Sequence, residues 1–253
     1  MENNLNTNRR GFIKYAALAG TLSLSIPEIV KAAIGNVDKK ITLKEGDIIL
    51  FQGDSITDSY RKREELRFND GPAMGTGYAF LSTSQLLYHH PGKRLKIYNR
   101  GISGHKTFHL IERWERDTID LKPSVLSVLV GVNDFWVKNN GVQGTLKSFR
   151  ENYQILLDKT RQNLPDTKLI IGEPFGVTGI KGKHEFWDPE FKDYQKVVAE
   201  LARSFDAVFI PYQKVFDKAQ QSAPGVYWTR DGVHPTIAGS QLMAEAWLSA
   251  IKS

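Results

Sequence analysis

The chain of 253 residues contains no cysteine. That excludes disulfides, thiolate nucleophiles, Cys-held zinc, iron–sulfur ligation and acylation at a lipoprotein cysteine. Glycine and proline, at 21 and 10 residues, fall well short of a collagen-like or low-complexity composition. Charge of one sign is not in marked excess either: 34 Lys and Arg face 28 Asp and Glu, for a net +6. No dense basic stripe interleaved with aromatics is present. The longest basic cluster, Arg61-Lys62-Arg63, runs straight into Glu64-Glu65, so it reads as solvated surface rather than a nucleic-acid footprint. What remains is ordinary globular composition, 41% hydrophobic and 25% charged, at a length that suits one domain with a sizeable core.

The first residues read as an address. A polar stretch ends in Arg9-Arg10-Gly11-Phe12-Ile13-Lys14; a weakly apolar run spans Tyr15 to Ile26, and then comes Val30-Lys31-Ala32, with compact residues where a signal peptidase would cut. The apolar run is shorter than the roughly 20 residues of a membrane span. The arginine pair, with Phe12, Ile13 and Lys14 after it, resembles a twin-arginine export signal, which engages its translocase with the protein already folded. Residues 1–32 are therefore expected to be a signal, residues 33–253 one domain, and the protein periplasmic or extracellular.

Beyond Ile41, short apolar runs alternate with amphipathic stretches. Asp47–Gln52, Leu95–Asn99, Val125–Val130, Lys168–Gly172 and Ala207–Ile210 are expected strands, each bounded by Gly, Pro, Asn or Asp. Between them, Phe80, Leu81, Ser84, Leu87 and Tyr88 share a helical face. So do Tyr153, Leu156, Leu157 and Thr160, and Phe191, Tyr194, Val198 and Leu201. A last helix is expected from Pro235, burying Ile237, Ala244, Leu248 and Ile251. The alternation predicts a three-layer α/β/α sandwich around a five-stranded parallel sheet, whose strands collect function at their carboxyl ends.

Four segments fall at or near such ends: Gly53-Asp54-Ser55, Asn99 to Gly104, Gly131-Val132-Asn133-Asp134, and Asp231-Gly232-Val233-His234 before the final helix. Each alone is ordinary turn or cap chemistry. Together they hold the parts of acyl transfer. A serine hydroxyl needs a base to take its proton, histidine is the usual base, and a carboxylate must orient the imidazole. Asp231 and His234, three residues apart in a turn, can pair at one ring nitrogen while the other faces Ser55. The backbone N–H groups of Ser55 and Gly104 and the side-chain amide of Asn133 are candidate donors to a tetrahedral oxyanion.

These four blocks resemble those of the SGNH (GDSL) hydrolase superfamily, in order and in placement, over nearly the whole mature chain. Ile56 stands where the family name implies Leu. The serine is not framed as Gly-x-Ser-x-Gly, so the nucleophile elbow of α/β-hydrolases is not the template. Gly75-Thr76-Gly77-Tyr78, Gly101 to Gly104, Arg113-Trp114 and Asn133 to Trp136 are similar to SGNH acetylxylan esterases. The resemblance implies a flavodoxin-like fold, Ser55 as nucleophile, His234 as base, Asp231 as its orienter, and an oxyanion hole of Ser55, Gly104 and Asn133.

Other residues have plainer readings. Asp54, Asp58 and Asp134 are expected to fix loops. Trp136 and Trp228 are candidates for the mouth of the site, where flat rings suit sugars, and equally for packing. Trp187 lies in the loop Gly176–Asp188, a candidate lid or contact in a homo-oligomer. His89-His90 close a helix before Pro91, and they and His184 lack metal-ligand spacing. One of His105 and His109 could touch substrate.

The sequence thus points to an exported serine esterase that hydrolyses acetyl esters of carbohydrates, with acetylated xylan or xylo-oligosaccharides as substrate and no cofactor or metal. Two alternatives stand beside it: a lipid-directed acyl hydrolase or thioesterase on the same triad, and a catalytically silent sugar-binding protein.

Overall fold

Apolar residues dominate the five runs, and each becomes a strand, the central ones buried on both faces and the edge ones partly exposed on one. A computed structural model describes residues 24–35, 39–136, 145–180 and 189–252. Residues 1–23 of the expected signal, together with His184 and Trp187, lie outside the described residues. The strands are β1 (Ile48–Gly53), β2 (Lys96–Asn99), β3 (Val125–Leu129), β4 (Lys168–Gly172) and β5 (Val208–Ile210). They form one parallel sheet in the order β2-β1-β3-β4-β5. Ile49 of β1 stands opposite Ile97 on one side and Val125 on the other. The chain goes from β1 to one neighbour and then crosses to the other, so the order reverses at β1. A crevice opens outside the carboxyl ends at such a switch point, and Ser55 stands there, one residue beyond the turn residue Asp54 that follows β1.

Helices cover both faces. Ile26–Ile34, Tyr78–His89, Tyr212–Ala219 and Ile237–Leu248 pack together on one side, and Thr107–Trp114, Leu146–Asn163 and Phe191–Ser204 lie on the other. Each layer buries a tryptophan whose indole N–H has an acceptor, as burial requires. Trp247 donates to Ser127 Oγ at 3.0 Å and packs on Phe51, and Trp114 donates to Thr160 Oγ1 at 3.0 Å. Among the described residues, no helix is long and apolar enough to cross a membrane.

Three expectations change. The helix Tyr78–His89 buries Tyr78, Ala79, Ser82, Thr83 and Leu86, whereas Phe80 and Tyr88 of the expected stripe are exposed. Small residues on the buried face allow this helix to pack closely on Ile237–Leu248. That last helix starts after Pro235, with Thr236 as its N-cap, and Ile237 in its first turn is exposed. Finally, the helix Ile26–Ile34 crosses the boundary expected at residues 32 and 33. Ile29, Val30 and Ala33 are buried in the core against Tyr212–Ala219 and Ile237–Leu248, so the packed domain begins before Ala33.

Candidate active site

At the end of β1 the chain turns sharply into the short helix Ser55–Asp58. Gly53 permits this, because a Cβ there would overlap the Leu129 carbonyl of β3 and the Thr57 side chain. Asp54 caps the helix, its Oδ1 accepting from the Ile56 N–H at 3.0 Å. Ser55 is thereby held as the first helical residue, its Oγ 2.9 Å from Nε2 of His234.

His234 sits in a turn pinned at both ends. The Arg230 N–H donates to the His234 carbonyl at 2.9 Å, and the Thr236 N–H donates to the Trp228 carbonyl at 2.9 Å. Asp231 fills the turn. Its Oδ1 accepts from the N–H groups of Val233 (3.1 Å) and His234 (2.8 Å), and its Oδ2 lies 2.7 Å from His234 Nδ1. Burial alone would raise the Asp231 pKa; the His234 amide and imidazole and the Val233 amide outweigh it and lower the value to about 2. An ionised Asp231 only accepts, so the ring proton belongs on Nδ1, and Nε2 is left as an acceptor facing the serine hydroxyl.

Gly104 and Asn133 come after the two strands that flank β1. Gly104 has φ +81° with open space where a Cβ would be, so glycine is needed there for backbone conformation alone. Among the described residues, the N–H groups of Ser55 and Gly104 have no acceptor. The Asn133 amide donates one hydrogen to the His105 carbonyl at 3.0 Å, which leaves its second N–H. Two carboxylates clamp the loop between these donors: Asp58 Oδ2 accepts from the Ser103 N–H (2.8 Å), and Asp134 Oδ1 accepts from the Thr107 N–H (3.1 Å) and hydroxyl (2.6 Å). The loop-fixing reading of Asp54, Asp58 and Asp134 agrees with these bonds.

Of the two readings open for the tryptophans, packing describes Trp228. Trp228 is 3% exposed and its indole donates to the carbonyls of Ala219 and Ala223, so it packs the core and presents no face to a ligand. Trp136, on the same short helix as Asn133, is 52% exposed but does not border the cavity around Ser55.

That cavity, of about 790 Å³, is lined by Ser55, Asp231 and His234 together with Tyr60, Arg61, Arg63, Glu64 and Arg230. These last five were missed as site residues. Arg61 and Arg63 read as a solvated charge run in the sequence, yet Arg61 is buried and Arg63 chelates Asp58 through Nε and Nη2 at 3.0 and 2.6 Å. Their nearness to Ser55, and that of Arg230 to Asp231, was the available signal.

The chain matches the model of the GDSL-like Lipase/Acylhydrolase family over residues 51–242. It is 30% identical to an acetylxylan esterase of Geobacillus stearothermophilus over 215 residues, 81% of this chain and 94% of that protein. Among solved structures, a protein of Parabacteroides merdae described as a GDSL-like lipase superposes with a TM-score of 0.80 at 43% identity, covering 83% of this chain and 98% of the other. The acetylxylan esterase Axe2 of Geobacillus stearothermophilus gives 0.75 at 27% identity, covering 84% and 100%. The chain belongs to the GDSL-like lipase and acylhydrolase family and is a carboxylic ester hydrolase.

Proposed function

We propose that this esterase removes acetyl groups from carbohydrates, xylan or xylo-oligosaccharides in particular, with Ser55, His234 and Asp231 as its triad. One observation carries the reading: the unbroken relay from Ser55 Oγ to His234 Nε2 (2.9 Å) and from His234 Nδ1 to Asp231 (2.7 Å), opening into the cavity. Ser55 Oγ attacks the acetyl carbonyl as His234 takes the hydroxyl proton, and Asp231 stabilises the imidazolium. The oxyanion is met by the N–H groups of Ser55 and Gly104 and by the free N–H of Asn133. The imidazolium then protonates the departing sugar oxygen. Water, deprotonated by His234, releases acetate from the acyl-enzyme.

A short acyl group fits the lining, which contains no aliphatic side chain among the described residues. A slot for a long acyl chain would need one. The likeness of this chain to acetylxylan esterases supports the saccharide. Export through the twin-arginine translocase is supported by the Arg9-Arg10 pattern; processing that preserves the core would fall before the helix Ile26–Ile34.

The test is acetate release from acetylated xylo-oligosaccharides by the protein and its Ser55→Ala variant. Release by the first and almost none by the second is expected. Equal release by both would remove Ser55 from the mechanism, and none by either would remove xylan acetate.

A further inference from the structure

Formal charges around the cavity cancel: Arg61, Arg63 and Arg230 face Asp58, Glu64 and Asp231. What distinguishes them is which are already committed. Asp58 is occupied by Arg63 and the Ser103 amide, and Asp231 by His234 and two backbone amides. Arg230 is different. Its guanidinium has no carboxylate within 4 Å among the described residues. It donates one bond, from Nη1 to the Tyr60 hydroxyl at 2.8 Å, and its Cζ lies 5.5 Å from the centre of the Tyr60 ring. A guanidinium carries five N–H donors, so most of its fork is left for a planar anion.

Position adds to this. Arg230 directly precedes Asp231, and its backbone N–H is bonded to the His234 carbonyl, so its Cα is fixed relative to the triad. Tyr60 is presented outward by an unusual backbone: Ser59 and Tyr60 both have positive φ, 42° and 63°, in the region that side chains rarely adopt. Bonds from the Ser59 N–H to the Ser55 carbonyl and from the Thr76 N–H to the Ser59 carbonyl hold it there. Such backbone conformations persist where the surroundings over-determine them, typically beside functional groups. A second cation borders the same cavity. Arg61 is 7% exposed, donates from Nε to the Gly101 carbonyl at 2.8 Å, and keeps a buried Nη1 with no hydrogen-bond partner among the described residues.

We propose that Arg230, set against Tyr60, binds a carboxylate on the saccharide, so that the preferred substrate is an acetyl ester of an acidic, uronic-acid-bearing oligosaccharide. This deepens the acetylesterase reading and rests on it. The exposed Glu64, lining the same cavity, opposes such a ligand and limits its affinity.

The test separates binding from turnover. Binding of acetylated xylo-oligosaccharides with and without a uronic acid branch is measured by calorimetry on Ser55→Ala protein, and acetate release on the active protein. The acidic ligand should bind about tenfold tighter, less so at high salt. Arg230→Gln should remove the preference, Arg230→Lys restore part of it, and Glu64→Gln enlarge it; a merely structural Arg230 would leave the ratio between the two ligands unchanged. Equal binding of the two, or an unchanged ratio in Arg230→Gln, overturns the proposal. So does a gain confined to a succinyl ester of the neutral oligosaccharide, which would put the carboxylate on the acyl side. A binding preference without acetate release from either ligand upholds the carboxylate site and overturns the acetylesterase reading instead.

Discussion

The side-chain amide of Asn133 donates to the backbone carbonyl of His105 at 3.0 Å, tying the segment after β3 to the loop after β2 that contains Gly104. One amide hydrogen thus sets the orientation and the other has no acceptor among the described residues. Asn133→Ala should lower kcat about a hundred- to a thousand-fold, with a smaller change in KM, because the donor acts on charge that develops only in the transition state. Steady-state kinetics on an aryl acetate would show it. A loss confined to KM would mean that Asn133 binds the ground state and is no oxyanion donor.

Asp54 is a carboxyl group kept for its shape. It is 1% exposed, with Oδ1 capping the helix and Oδ2 lacking any hydrogen-bond partner among the described residues. Burial, aided by the charges of Asp134 and Asp58, pushes its pKa up to about 7, against the pull of the Ile56 amide. The folded protein therefore retains a proton that the unfolded chain releases near pH 4. Wherever the folded state binds more protons, stability falls as pH rises, here from about pH 4 to about 7, and then levels off. Asp134, raised by burial to about 6, adds to the lower part of that fall. Asp54→Asn should flatten the profile, as urea titrations at pH 5 and 7.5 would reveal. A fall equal to that of the parent would show that Asp54 is not the titrating group.

Strands were legible because their own residues settle the matter. β1 and β3 are runs that only a two-faced burial satisfies, the Ser55 block falls where a strand end meets local turn chemistry, and the Asp231 and His234 block is a self-contained turn before the last helix. Other features depend on partners distant in sequence. The buried face of Tyr78–His89 is chosen by how close the helix Ile237–Leu248 can come, so Ala79, Ser82 and Thr83 displace the larger Phe80 and Tyr88. Trp228 is pulled inward by two carbonyls on the preceding helix end and loop. Arg61 reads as a surface charge until the Gly101 carbonyl, 40 residues away, is folded onto it.

The helix Ile26–Ile34 yields a stability prediction. Ile29 and Val30 are 0% and 4% exposed, and full burial of such side chains contributes about 1.5–3 kcal/mol each. A chain beginning at Leu24 should keep the stability of the whole protein, whereas one beginning at Ala33 should lose about 3–6 kcal/mol on the same scale. Thermal and urea denaturation of the two truncations decide this. Equal stability would mean that the helix is an appendage, and that the signal boundary can lie at Ala32.

Arg113 joins both strand ends beneath the serine. Its Nη1 donates to Gln52 Oε1 (2.9 Å), the Arg100 carbonyl (2.8 Å) and Asp117 (3.1 Å), and its Nε donates to His105 Nδ1 (3.2 Å). His105 is held down at about 4, first by burial and then by the Arg113 charge, with smaller contributions from His109 and Arg63. Two separable effects should result from Arg113→Met. Leaving buried acceptors and part of the Asp117 charge uncompensated should cost about 3–5 kcal/mol of stability. Removing the cation should also move the His105 titration upward, which NMR of the ring protons would track. Arg113→Lys keeps the charge but not the planar fork, so it should restore the low His105 value more fully than the stability. If the His105 titration stays in place in Arg113→Met, the Arg113 charge does not set it, and Arg113 serves only as the brace between β1 and β2.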